Sequence, residues 1–211
     1  MNVKSIQFLL ATIFSLVFLL KTNMLLASPV CGDLWHTNGP HDYRDSNISG
    51  TLKMVESHHF TKEVEQLISG STGLVGQDID FVLKVFPNHH RALDAMSRLS
   101  LRDKKPQPPG ASYSALCYFD RAVRFRPDDA MVRSIFSSHL LKINKLDLAL
   151  EQLQFAAEIE PGNPTTSYNL GLLYFKKKDY DKALLYAKKA YERGFPLQGL
   201  RNQLKRINKW H

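Results

Sequence analysis

Apolar positions along the chain follow two superposed periods. The short one places residues three and four apart, the stripe of an amphipathic helix. Phe60, Val64, Leu67 and Ile68 follow it, as do Leu93, Met96 and Leu99, and Leu200, Leu204 and Ile207. The long one is a step of 34. Ala115, Ala149 and Ala183 keep it, and so do Ala122, Ala156 and Ala190, and Phe119, Leu153 and Ala187. Within each unit the two alanines are seven apart, about two helical turns, so they share a face that a neighbouring helix can approach closely. Pro127 and Pro161 keep the same step, and Phe195 holds the third slot with Pro196 one place late. A proline closes each unit because it cannot continue a helix interior. A fixed period of this length denotes stacked two-helix units.

These spacings, with Leu170-Gly171, Tyr174, Ala183 and Ala190 in order in the last unit, resemble the tetratricopeptide repeat (TPR) family. The likeness covers roughly 88–195 well and the stretch before it weakly. It implies an all-α, right-handed solenoid of helical hairpins. A degenerate unit is expected at about 56–87, where Val75, Ile79 and Val82 replace the alanines, and clearer units at about 88–127, 128–161 and 162–195. An irregular arm over 28–55 precedes them, and a closing helix over 196–211 follows. Terminal repeats are often atypical because one face has no neighbour.

The resemblance also implies a function, a concave face lined by the first helix of each unit. The family register puts Arg91, Asp94, Arg98 and Leu101 on that face, then Met131, Ser134, Ser138 and Leu141. The last unit adds Thr165, Tyr168, Asn169, Leu172 and Phe175. Members that grip a peptide's carboxylate place basic residues and asparagines at such positions. Asn169 matches one and Arg91 and Arg98 supply charge, but Ile135 stands where a second asparagine would help. The expectation is a mixed groove for a protein or peptide partner, with an acidic end near the first unit and an apolar anchor near the last. Packing of Leu172 and Phe175 beneath the closing helix is the competing reading.

Two segments interrupt the pattern. Asn38-Gly39-Pro40 and Asp45-Ser46-Asn47 mark turns in the arm, with Trp35 and Tyr43 expected to pin it to the helices. Pro87 to Ala115 spans 28 positions against 22 from Pro127 to Ala149, so the loop over 103–111 is six residues longer than its counterpart. Its Pro-rich sequence is either a partner contact or a spacer.

Charge and the N-terminus add a location. Lys4, the apolar run from Ile6 to Leu20, Lys21 and the small residue Ala27 read as a secretory signal over 1–27. Export to a periplasmic or secreted compartment is expected, with an uncleaved anchor through 6–20 as the alternative and the only expected route to membrane contact. The whole chain carries 28 basic and 20 acidic residues, net +8; without Lys4 and Lys21 this becomes 26 − 20, or +6. That excess leans weakly toward an acidic partner, and nucleic acid is not expected because the basic residues are scattered. Two cysteines, Cys31 and Cys117, suit one disulfide in such a compartment; a buried free thiol at Cys117 is the alternative.

No catalytic pattern emerges. The adjacent pairs His58-His59 and His89-His90 point in different directions on a helix and cannot chelate from one face. Gly70, Gly73 and Gly76 lack the Lys-Ser/Thr of a phosphate loop, and no serine sits in a nucleophile elbow. No metal or cofactor is expected, and the chain reads as a non-enzymatic adaptor. The alternative is an enzyme, or an enzyme subunit, whose site is built jointly by the arm and the 103–111 loop.

Overall fold

The computed structural model describes residues 31–210; the signal-type segment lies outside them. The chain divides into Met1–Asp33, of which only 31–33 are described, and Leu34–His211, which is one continuous helical unit. Among the described residues there are ten α-helices and no named strand. They are α1 (Ser49–His59), α2 (Lys62–Glu65), α3 (Val75–Val85), α4 (His90–Asp103) and α5 (Ala115–Phe125). The others are α6 (Ala130–Lys142), α7 (Leu146–Ile159), α8 (Pro164–Lys176), α9 (Tyr180–Glu192) and α10 (Gly199–Arg206).

Punctuation at helix ends explains why the segments form where they do. The side chains of His89, Ser114, Asp129, Asn163 and Asp179 each accept from a backbone N–H in the first turn of α4, α5, α6, α8 and α9. Pro164 follows its cap directly, where its missing N–H costs nothing. Each first helix stops on a left-handed residue, Lys104 (φ 53°), Asn144 (φ 62°) and Lys178 (φ 64°). Asn144 and Lys178 are 34 apart, and Lys104 and Asn144 are 40 apart, which is 34 plus the six inserted residues.

The hairpins α4/α5, α6/α7 and α8/α9 stack through the alanine ruler. Ala122, Ala149, Ala156, Ala183 and Ala190 are all fully buried, and Ala115 nearly so. Two cores result, one running from Val55 to Val132 and one from Leu140 to Leu204. Phe136 packs against both and stacks on Phe119 with ring centroids 4.9 Å apart, so α6 joins the two cores. Gly171 marks the closest approach in the second: a Cβ there would lie 2.5 Å from Leu200 Cδ2 and 3.3 Å from the Ala183 carbonyl. Gly171→Ala is therefore expected to lower stability by ~1–3 kcal/mol, through overpacking, despite its better helix propensity. Urea denaturation with an unchanged or raised midpoint would contradict this contact.

The N-terminal third departs from the sequence expectation. The Phe60–Ile68 stripe forms only the short α2, because Leu67 turns left-handed (φ 62°) before Ser69-Gly70. Phe60, Val64 and Leu67 still reach the core, whereas Ile68 is exposed. Conversely, α1 occupies part of the segment expected to be irregular; it buries only Val55 and so carries almost no stripe. Tyr43 does pin the arm, its ring 4.2 Å from that of His89, but Trp35 is 73% exposed. His41 takes its place, lying 5.7 Å from Phe86 while its N–H donates to the Val85 carbonyl. At the other end α10 is shorter than the closing segment. Leu200 and Leu204 are buried, and Ile207 falls beyond the last turn, partly exposed.

The inserted loop is packed rather than a spacer. A Cβ on Gly76 would meet the Pro109 carbonyl at 2.3 Å, so the loop lies directly on the start of α3. Asp80 accepts from the Ser112 hydroxyl (3.1 Å), from the Tyr118 hydroxyl and from Lys84 Nζ (2.8 Å). This placement costs α5 its first turn. α7 and α9 begin three residues before Ala149 and Ala183, but α5 begins on Ala115 itself.

Candidate functional site

Ser134, Ser138 and Leu141 are spaced i, i+4 and i+7 on α6, and Asn169 and Leu172 i and i+3 on α8, so each set shares a helix face. The fold brings these five together around a depression of about 80 Å³ with Leu153 and Leu173 beneath it. Ser134 Oγ donates to its own helix at the Ala130 carbonyl (3.0 Å). Ser137 Oγ donates to the Ala149 carbonyl (2.8 Å), tying α6 to α7 under the groove. Ser138 is exposed, and Met131, one turn before Ser134, is half exposed. The result is a shallow cleft with an apolar floor and a hydroxyl and amide rim.

The remaining expected residues lie elsewhere. Tyr168 is buried, stacked on Phe195 at 4.1 Å and edge-on to Tyr191 at 6.3 Å. It belongs to the C-terminal core rather than to the groove. Phe175 is half-buried against Tyr180 at the α8–α9 turn, with centroids 5.4 Å apart. Packing beneath the closing helix thus falls to Tyr168 and Gly171, whose contacts reach Gly199 and Leu200, while Leu172 lines the groove.

Arg91, Asp94 and Arg98 do share a face of α4, but their charge is spent within the molecule. Arg91 pairs with Glu65 on α2 and Glu56 on α1 and lies 5.3 Å from the Phe60 ring centroid. Arg98 pairs with Asp94 (2.7 Å) and donates to the Glu65 carbonyl (2.9 Å). No net positive clamp remains at this end. Sequence spacing could not show it, because Glu56 and Glu65 lie 35 and 26 positions away.

A second polar assembly, missed from sequence, fastens the arm. Asn88 is fully buried; its amide donates to Asp42 (2.7 Å) and Asp129 (3.0 Å), and its oxygen accepts from the Tyr43 N–H (2.9 Å). Arg44 and Arg126 both reach Asp42, and Arg44 also reaches Asp128. The signal that would have found it is register: Asn88 and Asp128 occupy equivalent places just after Pro87 and Pro127.

The arm also walls a cavity of about 650 Å³ with α1 and α3, lined by His41, His58, His59, Met54 and Phe81 among others. His59 is oriented by the buried Asp78, Nδ1 to Oδ1 3.0 Å. The inserted loop contributes nothing to this cavity, and a second one of about 310 Å³, which the loop does wall, contains no arm residue. The joint arm-and-loop site of the enzyme alternative is not assembled in either. Among the described residues no group of three potential ligands could hold a metal ion, and no helix is long and apolar enough to cross a membrane.

Three features now coincide. Starts of α6 and α8 are 34 apart, as are those of α7 and α9; the left-handed stop recurs at the same step; and the ruler alanines are the buried contacts between hairpins. The fold is a helical solenoid of the tetratricopeptide-repeat type. No protein-family model matches it. Over 83 residues it is 32% identical to the anaphase-promoting complex subunit CDC16 of Saccharomyces cerevisiae, a match covering 39% of this chain and 10% of the relative. The chain therefore spans only about a tenth of that curated relative. Among solved structures, the crystal structure of MamA aligns with a TM-score of 0.49 at 19% identity, over 64% of this chain and 78% of that one. Each hairpin here packs on its neighbours, as stacked helical repeats do.

Proposed function

We propose that this TPR protein is an exported scaffold that receives an extended or helical segment of a protein partner in the cleft between α6 and α8. The cleft supports this reading: Ser138, Asn169 and Leu172 converge there with an apolar floor, and sites for a peptide combine such pockets with hydrogen-bonding rims. The anchor is Leu172 rather than the aromatic residues, and the charged end of α4 contributes shape more than a carboxylate clamp.

The test is site-specific photo-crosslinking. A photoreactive side chain at Ser138 should capture a partner in the native compartment, and the same group at the exposed Lys188 on α9 should not. Equal capture at both positions would remove the groove from the interface. Leu172→Ala should weaken the captured partner by ~1–2 kcal/mol with little change in melting temperature, whereas Tyr168→Ala should unfold the C-terminal units.

Both Cys31 and Cys117 are disulfide-bonded and neither is a free thiol, which accords with an oxidising compartment. Intact-mass analysis of protein alkylated without reduction should find no modified thiol and an N-terminus at Ser28. Two alkylated cysteines would overturn the exported reading.

A further inference from the structure

The inserted loop builds a site that the groove does not use. Its backbone is fixed at both ends: Lys105 N–H donates to the Ser100 carbonyl (3.1 Å), Ser100 Oγ donates back to the Lys105 carbonyl (2.8 Å), and Ala115 N–H donates to the Pro106 carbonyl (2.8 Å). Between this loop, the ends of α4 and α6 and the start of α5 lies the cavity of about 310 Å³. Leu101, Pro106, Leu116 and Ile143 give it apolar walls, and Leu116 remains 40% exposed although it faces a hydrophobic space.

Its polar side chains are Lys104, Lys105, His139 and Ser100, whose hydroxyl proton is already given to the Lys105 carbonyl. Lys104 and Lys105 line it, and neither is in an ion pair among the described residues; no carboxylate lines it. His139 also lines it, 2% exposed, with Nδ1 paired to the Ser97 hydroxyl (2.9 Å) and the ring tilted on Phe119. Nε2, on the opposite edge of the ring, has no partner among the described residues. The Leu116 N–H in the first turn of α5 is likewise without an acceptor, at the positive end of that helix. The carbonyls ending α4 and α6 do not offset this, because Ser100, Leu101, His139, Leu140 and Leu141 already accept from backbone N–H groups of the turns that follow.

We infer that this cavity binds a free aliphatic monocarboxylate, its carboxylate held by His139 Nε2, the Leu116 N–H and the two lysines and its tail against Leu101, Leu116 and Ile143. The small volume, at the low end for ligand sites, suits a short chain. The single apolar compartment and the two lysines with no carboxylate beside them suit one anionic group and no second polar end. With the Ser97 hydroxyl donating to Nδ1, His139 Nε2 carries the ring proton and can donate to that group. The longer loop of this unit then has a role, since Lys104, Lys105 and Pro106 at its start wall the cavity.

Calorimetric titration of the full chain with octanoate tests it, with octylammonium as the charge-reversed probe and an acetylated peptide ending in leucine as the alternative source of the same head. Octanoate should saturate one site and shift the His139 ring resonance, and octylammonium should not bind. Leu116→Trp, which fills an exposed part of the cavity, should abolish binding while keeping the melting temperature. The pair Lys104→Ala and Lys105→Ala should weaken octanoate on the order of tenfold. Absence of saturation, equal binding of octylammonium, or octanoate binding undiminished in a folded Leu116→Trp variant would overturn the assignment. So would tighter binding of the peptide, which would make the site a seat for a protein terminus. Crosslinking at Ser138 reads the groove separately, so either reading can fail without the other.

Discussion

Asp129→Ala is expected to lower stability by ~3–4 kcal/mol, because it combines the loss of a helix cap with the orphaning of a buried network. Asp129 is 2% exposed and accepts from the Val132 N–H at the start of α6 (3.1 Å). It also accepts from Asn88 Nδ2 (3.0 Å) and His90 Nε2 (2.9 Å), and Arg44 stands 3.6 Å away. Burial alone would raise its pKa, yet hydrogen bonds from His90 and Asn88 hold the carboxyl below the ordinary value, so it is ionised where it sits. Removing it leaves a fully buried Asn88 amide one acceptor short. Asp129→Asn, which keeps the cap but not the charge, should fall between wild type and Asp129→Ala in urea denaturation. A loss below ~1 kcal/mol for Asp129→Ala would mean that the arm and the α3–α4 turn are held by apolar contacts alone.

The repeat core was legible because its cause is local and periodic. A small residue at every buried crossing leaves a mark at a fixed step, and the buried alanines of α5, α7 and α9 are those marks. Loop arithmetic likewise showed the six-residue insertion. What it packs on was hidden, since Gly76 meeting Pro109 is a contact between two breaks in the pattern. α1 escaped because a helix that buries one side chain has no stripe to read. Within the groove, register alone could not separate Tyr168 from Leu172. They are four apart on one helix, and the choice between them depends on Phe195 and Gly199, where the chain leaves the repeat. The charges of α4 failed for a related reason: Arg91 is neutralised by carboxylates from α1, which the pattern did not show, and from α2, which it showed but could not place against α4.

Acid should weaken the fold before the hydrogen-bonded carboxylates Asp42, Asp78 and Asp129 titrate, and His139 is the main expected source. Burial, with a smaller effect from the Lys142 charge, pushes its pKa down from the ordinary 6.5 to about 4. Above pH 6.5 the imidazole is neutral in folded and unfolded chains alike and its contribution to stability is complete. As pH falls from 6.5 toward 4 the unfolded chain takes up a proton that the folded chain refuses, and stability is lost across that window, by up to ~3 kcal/mol. Buried His89 is shifted down by desolvation too, against the opposing pull of Glu56, and acts in the same direction. Asp42, Asp78 and Asp129 have lowered pKa values, so their contribution is lost only at lower pH, as they titrate through the folded values. The urea midpoint should therefore drop between pH 7 and pH 4.5 in wild type. His139→Gln, which can still hydrogen-bond Ser97, should start less stable at pH 7 and lose much less on acidification. A variant that keeps the full wild-type slope would move the effect to His89, and His89→Gln, tested the same way, would then have to abolish it.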